Sequence, residues 1–138
     1  MKNKKINIIL VVIWMMLIFI MSSFNAKDSS NQSNFIVNIL VSIFNIHNID
    51  ILSLIIRKLA HLTEYAILGV LVYNLTHSYN QKTYIALFIS ILYAITDEIH
   101  QYFVPGRSCQ ITDIMIDTLG IIIGVYLYKL IIKRYQEK

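Results

Sequence analysis

The run YIALFISILYAITDEIHQYFVPGR, residues 84–107, decides how this chain is to be read. Tyr84 to Val104 is long enough to cross a bilayer, because ~20 predominantly apolar residues span ~30 Å of hydrocarbon as a helix. Yet the run carries two adjacent carboxylates, Asp97 and Glu98, with His100 and Gln101 behind them, before Pro105-Gly106 stops the helix with a turn signal. An ionisable group inside a membrane helix costs about 2.5–3.5 kcal/mol on insertion scales, and by default it marks a functional position.

The flanking sequence repeats the pattern. Downstream, Ile111 to Ile132 is another apolar run, and it opens with Asp113 and Asp117. Upstream, Leu59 to Leu75 continues a helix expected to start near Ile51 with Asp50 as its N-cap. That helix brings Arg57, Lys58, His61 and Glu64 with it. The first run, Ile6 to Met21, follows Lys2, Lys4 and Lys5. A secretory signal has an apolar region of about 7–15 residues ending at a small-x-small site. Here the run is longer and Met21-Ser22-Ser23-Phe24-Asn25-Ala26 offers no such site, so an uncleaved helix is expected. Between the first and second runs, Asn25 to Asn34 reads as a polar loop. Beyond it, Asn34, Asn38, Ser42 and Asn45 fall on one helical face opposite Ile36, Ile39, Leu40 and Ile43. That segment is too short and polar to span; it fits an amphipathic helix at the membrane interface or one packed over the bundle.

Composition agrees with this reading. Of 138 residues, 57% are hydrophobic and 14% charged, against about 45–50% and about 25% in soluble domains. The expected fold is an all-α membrane protein forming one domain over residues 1–138. It has four transmembrane helices, at about 6–24, 58–76, 83–104 and 111–132, and an amphipathic interfacial helix between the first and second. A disordered chain and a soluble enzyme are excluded. So is a disulfide scaffold, since Cys109 is the single cysteine. The net charge of +4 does not point to nucleic acid, because no basic stripe with interleaved aromatics lies outside the apolar runs.

The basic residues set the orientation instead. Lys2, Lys4, Lys5, Lys82, Lys129, Lys133, Arg134 and Lys138 share one side, and Lys27, Arg57, Lys58 and Arg107 the other. Eight against four places both termini in the cytoplasm. In that topology the second helix begins, the third ends and the fourth begins on the extracytoplasmic side, so three stretches deliver ionisable groups to one depth. Helical phase supports the convergence: His61 and Glu64 share a face, as do Asp97 and Gln101, and Asp113, Asp117, Gly120 and Gly124 form one stripe. Gly120 to Gly124 is a GxxxG, which lets another helix approach closely.

These residues resemble a family. Lys58 to Tyr65 is similar to the K-x-x-H-x-x-E-Y motif of VanZ-like membrane proteins, and Asp97 to Arg107 to their D-E-x-x-Q-x-F-x-P-x-R motif. Asp113, Gly120 and Gly124 match its continuation, and Ser22-Ser23 resembles the family's short serine segment. Asp117 departs from it, standing where the family often has Asn. The resemblance implies a multi-pass protein of the bacterial cytoplasmic membrane, with members linked to low-level teicoplanin resistance and no settled reaction. It names no cofactor and no oligomeric state. The signature positions carried over are Lys58, His61, Glu64, Tyr65, Asp97, Glu98 and Gln101, then Pro105, Arg107, Ser108, Asp113, Gly120 and Gly124.

Three uses of the polar residues remain open. The charges could pair among themselves and fix helix register. They could bind membrane lipid headgroups, a cell-wall precursor or a lipoglycopeptide, with Arg107 and Lys58 on the anion, Tyr65, Gln101, Ser108 and Asp117 contributing, and His61, Glu64, Asp97, Glu98 and Asp113 around them. They could also form a membrane-embedded enzyme acting on lipid-linked phosphate. Glu64, Glu98 or Asp113 would then act as acid or base, or His61, Glu64, Asp97 and Asp113 would ligate a hard metal ion. No hydrolase motif such as GxSxG or HExxH is present. His47 and His77 read as solvated or interfacial, His100 as a headgroup contact, and Trp14, Tyr126 and Tyr128 as packing or lipid-facing aromatics.

Overall fold

The computed structural model describes residues 3–44 and 48–136, and every regular element among them is an α-helix. The elements are α1 (Lys4–Ser22), α2 (Ala26–Phe44), α3 (Ile49–Ser78), α4 (Thr83–Tyr102) and α5 (Ile111–Gln136). The run expected at 58–76 is the later part of α3, which spans 30 residues. Asp50 does not cap it but lies in its first turn, where a carboxylate complements the helix dipole.

The expected polar loop from Asn25 to Asn34 is helical instead, since α2 begins at Ala26. Polarity misled because this helix turns a serine face inward. Ser29, Ser33, Leu40 and Val41 are half-buried and Val37 fully buried, at spacings of three and four, on the side packed against α3. Ile36, Ile39 and Ile43, from the expected apolar face, stay exposed together with Phe35. Asn45 and His47 fall outside the described residues.

α3 is the hub, packing against all four other helices and most extensively against α5. Glycine makes that seam. A Cβ on Gly69 would lie 2.7 Å from the carbonyl oxygen of Ile121, and one on Gly120 or Gly124 would run into the carbonyl oxygens of Leu62 and Ala66. The GxxxG of α5 therefore meets the backbone of α3. Around it the core is built from Ile18 of α1, Tyr65, Leu68 and Val72 of α3, Ala86 and Ala94 of α4, and Ile121 and Val125 of α5.

The outer surface is apolar. α1 and residues 111–134 of α5 are long and apolar enough to cross a membrane, and only 22% and 28% of their most apolar windows are buried inside the protein. Ile9, Ile13, Met16 and Ile20 on α1, and Leu119, Leu127 and Leu130 on α5, face outward. The core helix of a soluble protein would bury such side chains, and exposed apolar area on this scale needs an apolar surrounding. Both helices point to membrane association.

Candidate functional site

The site starts from a turn. Val104, Pro105, Gly106 and Arg107 close on themselves through the Arg107 N–H, which donates to the Val104 carbonyl at 3.1 Å. Gly106 has φ 77°, the left-handed conformation that a type II turn demands at its third residue, with proline favoured at the second. The turn folds Arg107 back over the end of α4. There its guanidinium donates to Gln101 Oε1 at 2.9 Å, to Ser29 Oγ of α2 at 2.8 Å and, at 3.4 Å, to the Ser22 carbonyl at the end of α1. One side chain thus ties three helices together. Gln101 is itself oriented by donating to Asp97 Oδ2 at 3.1 Å, and the buried Tyr65 hydroxyl donates to the same oxygen at 3.0 Å.

Beneath this arrangement lies a cavity of about 270 Å³. Its polar wall holds Arg57, His61, Glu64, Asp97, Gln101 and Arg107, with Ser22, Ser29 and Ser33; Ile18, Met21, Ile36, Ile56 and Ala60 form an apolar wall. A smaller space of about 70 Å³ shares Arg57, His61, Gln101 and Arg107 with it and adds Ser108, Gln110 and Asp113. Arg57 and Arg107 face the same space, and among the described residues no carboxylate lies within ion-pair distance of either. Burial lowers the Arg107 pKa from its usual value, the negative charge of Asp97 opposes that, and the positive charge of Arg57 adds to it.

The other predicted residues divide by depth. Lys58 lines neither space; its Nζ donates to Asp113 Oδ1 at 2.7 Å, joining α3 to the first turn of α5. Glu98 is fully buried and accepts the Gln110 N–H at 2.9 Å, which pins the start of α5. Asp117, also fully buried, meets His61 Nδ1 at 3.3 Å. Ser108 accepts from the Gln110 side chain at 3.1 Å. Glu64 lines the cavity, and its backbone carbonyl takes the Trp14 indole N–H at 3.0 Å, so Trp14 is anchored as well as packed. His100 lies at the end of α4, against the end of α1. It stacks on Phe19 at 4.5 Å between ring centroids and meets Ser23 Oγ at 3.2 Å, because its face of α4 looks toward the end of α1.

Of the candidate metal ligands, Asp113 is bonded to Lys58, His61 to Asp117, and Asp97 to Tyr65 and Gln101. Among the described residues no three His, Cys, Asp or Glu side chains gather as a metal site. The spacing did not select Ser29, Ser33 or Arg57 for the site. The signal for the serines was their four-residue spacing, hidden once the stretch was read as a loop. Arg57 stood out as a cation on the side with fewer of them.

The family model described as VanZ/LLP1 matches residues 7–132 of this chain. No curated protein and no solved structure matches it.

Proposed function

The chain belongs to the VanZ/LLP1 family, and from that premise we propose that it holds the anionic headgroup of a membrane amphiphile at the outer face of the cytoplasmic membrane. In this reading α1, α3, α4 and α5 cross the bilayer, both termini are cytoplasmic, and α2 lies at the outer interface. The observation that carries it is the pair Arg57 and Arg107, two guanidiniums on one cavity with no ion-pair partner among the described residues. Like charges facing one cavity repel, and a phosphate between them relieves this through charge-assisted bonds. Ile18, Met21, Ile36 and Ile56 offer the first part of a hydrocarbon chain an apolar wall.

Size narrows the occupant. A cavity of about 270 Å³ falls just below the ~300–1,000 Å³ that takes drug-sized ligands. It suits a lipid headgroup, the phosphate end of a lipid carrier or the tip of a lipoglycopeptide tail, while the bodies of glycopeptides and cell-wall precursors stay outside. Teicoplanin tolerance would then follow from which lipids the protein holds. Equilibrium binding of dodecyl phosphate and dodecanol to the purified protein tests the site: the phosphate binds more tightly, and Arg107→Ala removes the difference. An undiminished preference for the phosphate in a folded Arg107→Ala variant overturns the reading. Orientation has its own test, because Cys109 is the single cysteine and is exposed. A membrane-impermeant maleimide is expected to label it in intact cells; labelling only after lysis reverses the topology.

One observation favours a second reading, an acid/base enzyme acting on lipid-linked phosphate. His61 Nδ1 meets the buried Asp117, and His61 lines the cavity together with Glu64. Release of inorganic phosphate from a polyprenyl diphosphate, lost in His61→Gln, supports it. No release by the folded wild type removes it.

A further inference from the structure

An anion accounts for Arg57 and Arg107 but leaves the opposite side of the cavity unexplained. Asp97 is 4% exposed and lines the cavity; its Oδ2 accepts from Tyr65 and Gln101, while its Oδ1 is buried without a partner among the described residues. Glu64 lines the same space, and no described side chain hydrogen-bonds to its carboxylate. A buried acceptor left empty costs free energy, and more when it is charged. Both carboxylates would also repel a purely anionic guest.

The charges are ordered along α3. Arg57, His61 and Glu64 follow one face at steps of four and three, which puts Glu64 ~10 Å further along the helix than Arg57. Arg107 stands beside the Arg57 end through Gln101, and Asp97 lies one helical turn behind Gln101. The cavity therefore has a cationic pole toward the loop and an acidic pole deeper in. Its two guanidiniums and two carboxylates sum to no net charge, with His61 and Asp117 forming a separate pair. A guest that keeps this balance carries one charge of each sign.

Building on the headgroup reading, we infer that the guest is zwitterionic: an amphiphile of the phosphoethanolamine type. Its phosphate is held by Arg57 and Arg107, and its ammonium donates N–H bonds to Glu64 and to Asp97 Oδ1. The number of N–H donors is what the acidic pole reads. A primary ammonium has three, a quaternary choline none, and a glycerol headgroup offers hydroxyls without positive charge.

Titration of the purified full-length protein with dihexanoyl phosphatidylethanolamine, phosphatidylcholine and phosphatidylglycerol tests this. The ethanolamine lipid is expected to bind at least tenfold more tightly than the choline lipid and more tightly than the glycerol lipid. Glu64→Gln brings the ethanolamine-to-choline ratio toward one, and Asp97→Asn does the same where it folds. Arg107→Ala weakens all three lipids. Equal affinity for ethanolamine and choline lipids with dependence on Arg107 intact overturns the zwitterion and leaves the anion site standing. Tightest binding of the glycerol lipid, or a ratio unmoved by Glu64→Gln, overturns it in the same way. Binding of all three lipids that ignores Arg107 overturns the headgroup reading itself.

Discussion

The two ends of α3 are both polar, and both leave a buried polar atom unpartnered among the described residues, Asn7 Nδ2 at one and Asp97 Oδ1 at the other. They differ in charge and in open space. Toward its C-terminus, Asn74 donates to Asn7 Oδ1 of α1 at 3.1 Å, and Tyr73 sets an edge against Tyr128 of α5. Lys4 rests on the Tyr79 ring at 4.5 Å, and Lys129 reaches Thr83 Oγ1 at 3.4 Å. Amides, phenols and hydroxyls there bond helix to helix, which is how polar side chains serve architecture in an apolar surrounding. At the Arg57 end the groups are ionisable, both cavities lie there, and Arg57, Glu64 and Asp97 Oδ1 have bonding capacity that no described side chain uses. Polarity alone does not distinguish a site from a scaffold. Unused charge beside open space does.

Gly124→Leu has the largest expected effect, because both ends depend on the α3–α5 seam. The new side chain meets the Ala66 backbone, which cannot turn aside as a side chain would. Overpacking of this kind costs about 1–3 kcal/mol, occasionally more, and its position on the central seam places it at the upper end. The expected outcome is loss of the monodisperse species in size-exclusion chromatography. A well-folded Gly124→Leu protein with normal lipid binding would mean the two ends are independent.

Arg57→Ala and Asn74→Ala then separate the ends. Arg57 makes no hydrogen bond or ion pair with a described residue, so its loss is expected to weaken dodecyl phosphate binding about tenfold, or 1.4 kcal/mol, without lowering the thermal midpoint. Asn74→Ala should do the reverse. It removes an interhelical bond of the kind that averages about 0.6 kcal/mol in membrane proteins, so the midpoint falls slightly and binding holds. If both variants change the same quantity, the division between scaffold and site fails.

Much of this division was legible in the sequence. Apolar runs give helices, and spacings of three and four assign His61 with Glu64, Asp97 with Gln101, and Asp113 with Asp117 to shared faces. Gly120 and Gly124 announce a close seam, and the structure supplies α3 as its partner. The choice of partner within the charged pool was not legible. Lys58 takes Asp113, His61 takes Asp117, and Arg107 takes Gln101 and Ser29 rather than any acid. Those choices depend on how far each helix is rotated about its axis, which a one-dimensional pattern sets only to within a face. The start of α2, before Asn34, was missed for a different reason. Its inward face there is Ser29 and Ser33, and hydrophobic periodicity carries no mark where the inward stripe is polar.

The smallest expected effect sharpens the comparison most finely. Lys58 and Asp113 belong to the scaffold by their bond and to the site by position, since Asp113 lines the smaller space with Arg57 and Arg107. Partly exposed pairs contribute about 0–1 kcal/mol to stability, so Lys58→Met should barely move the thermal midpoint. It does release a carboxylate, and the cations nearest in that space are the two guanidiniums assigned to the phosphate. Asp113 then competes with the guest, and phosphate binding is expected to weaken two- to threefold, about 0.5 kcal/mol. Adding Asp113→Asn to Lys58→Met removes the competitor and should restore binding. A double variant as weak as the single one would show that Lys58 acts on the anion directly, and the boundary between scaffold and site would move outward by one residue.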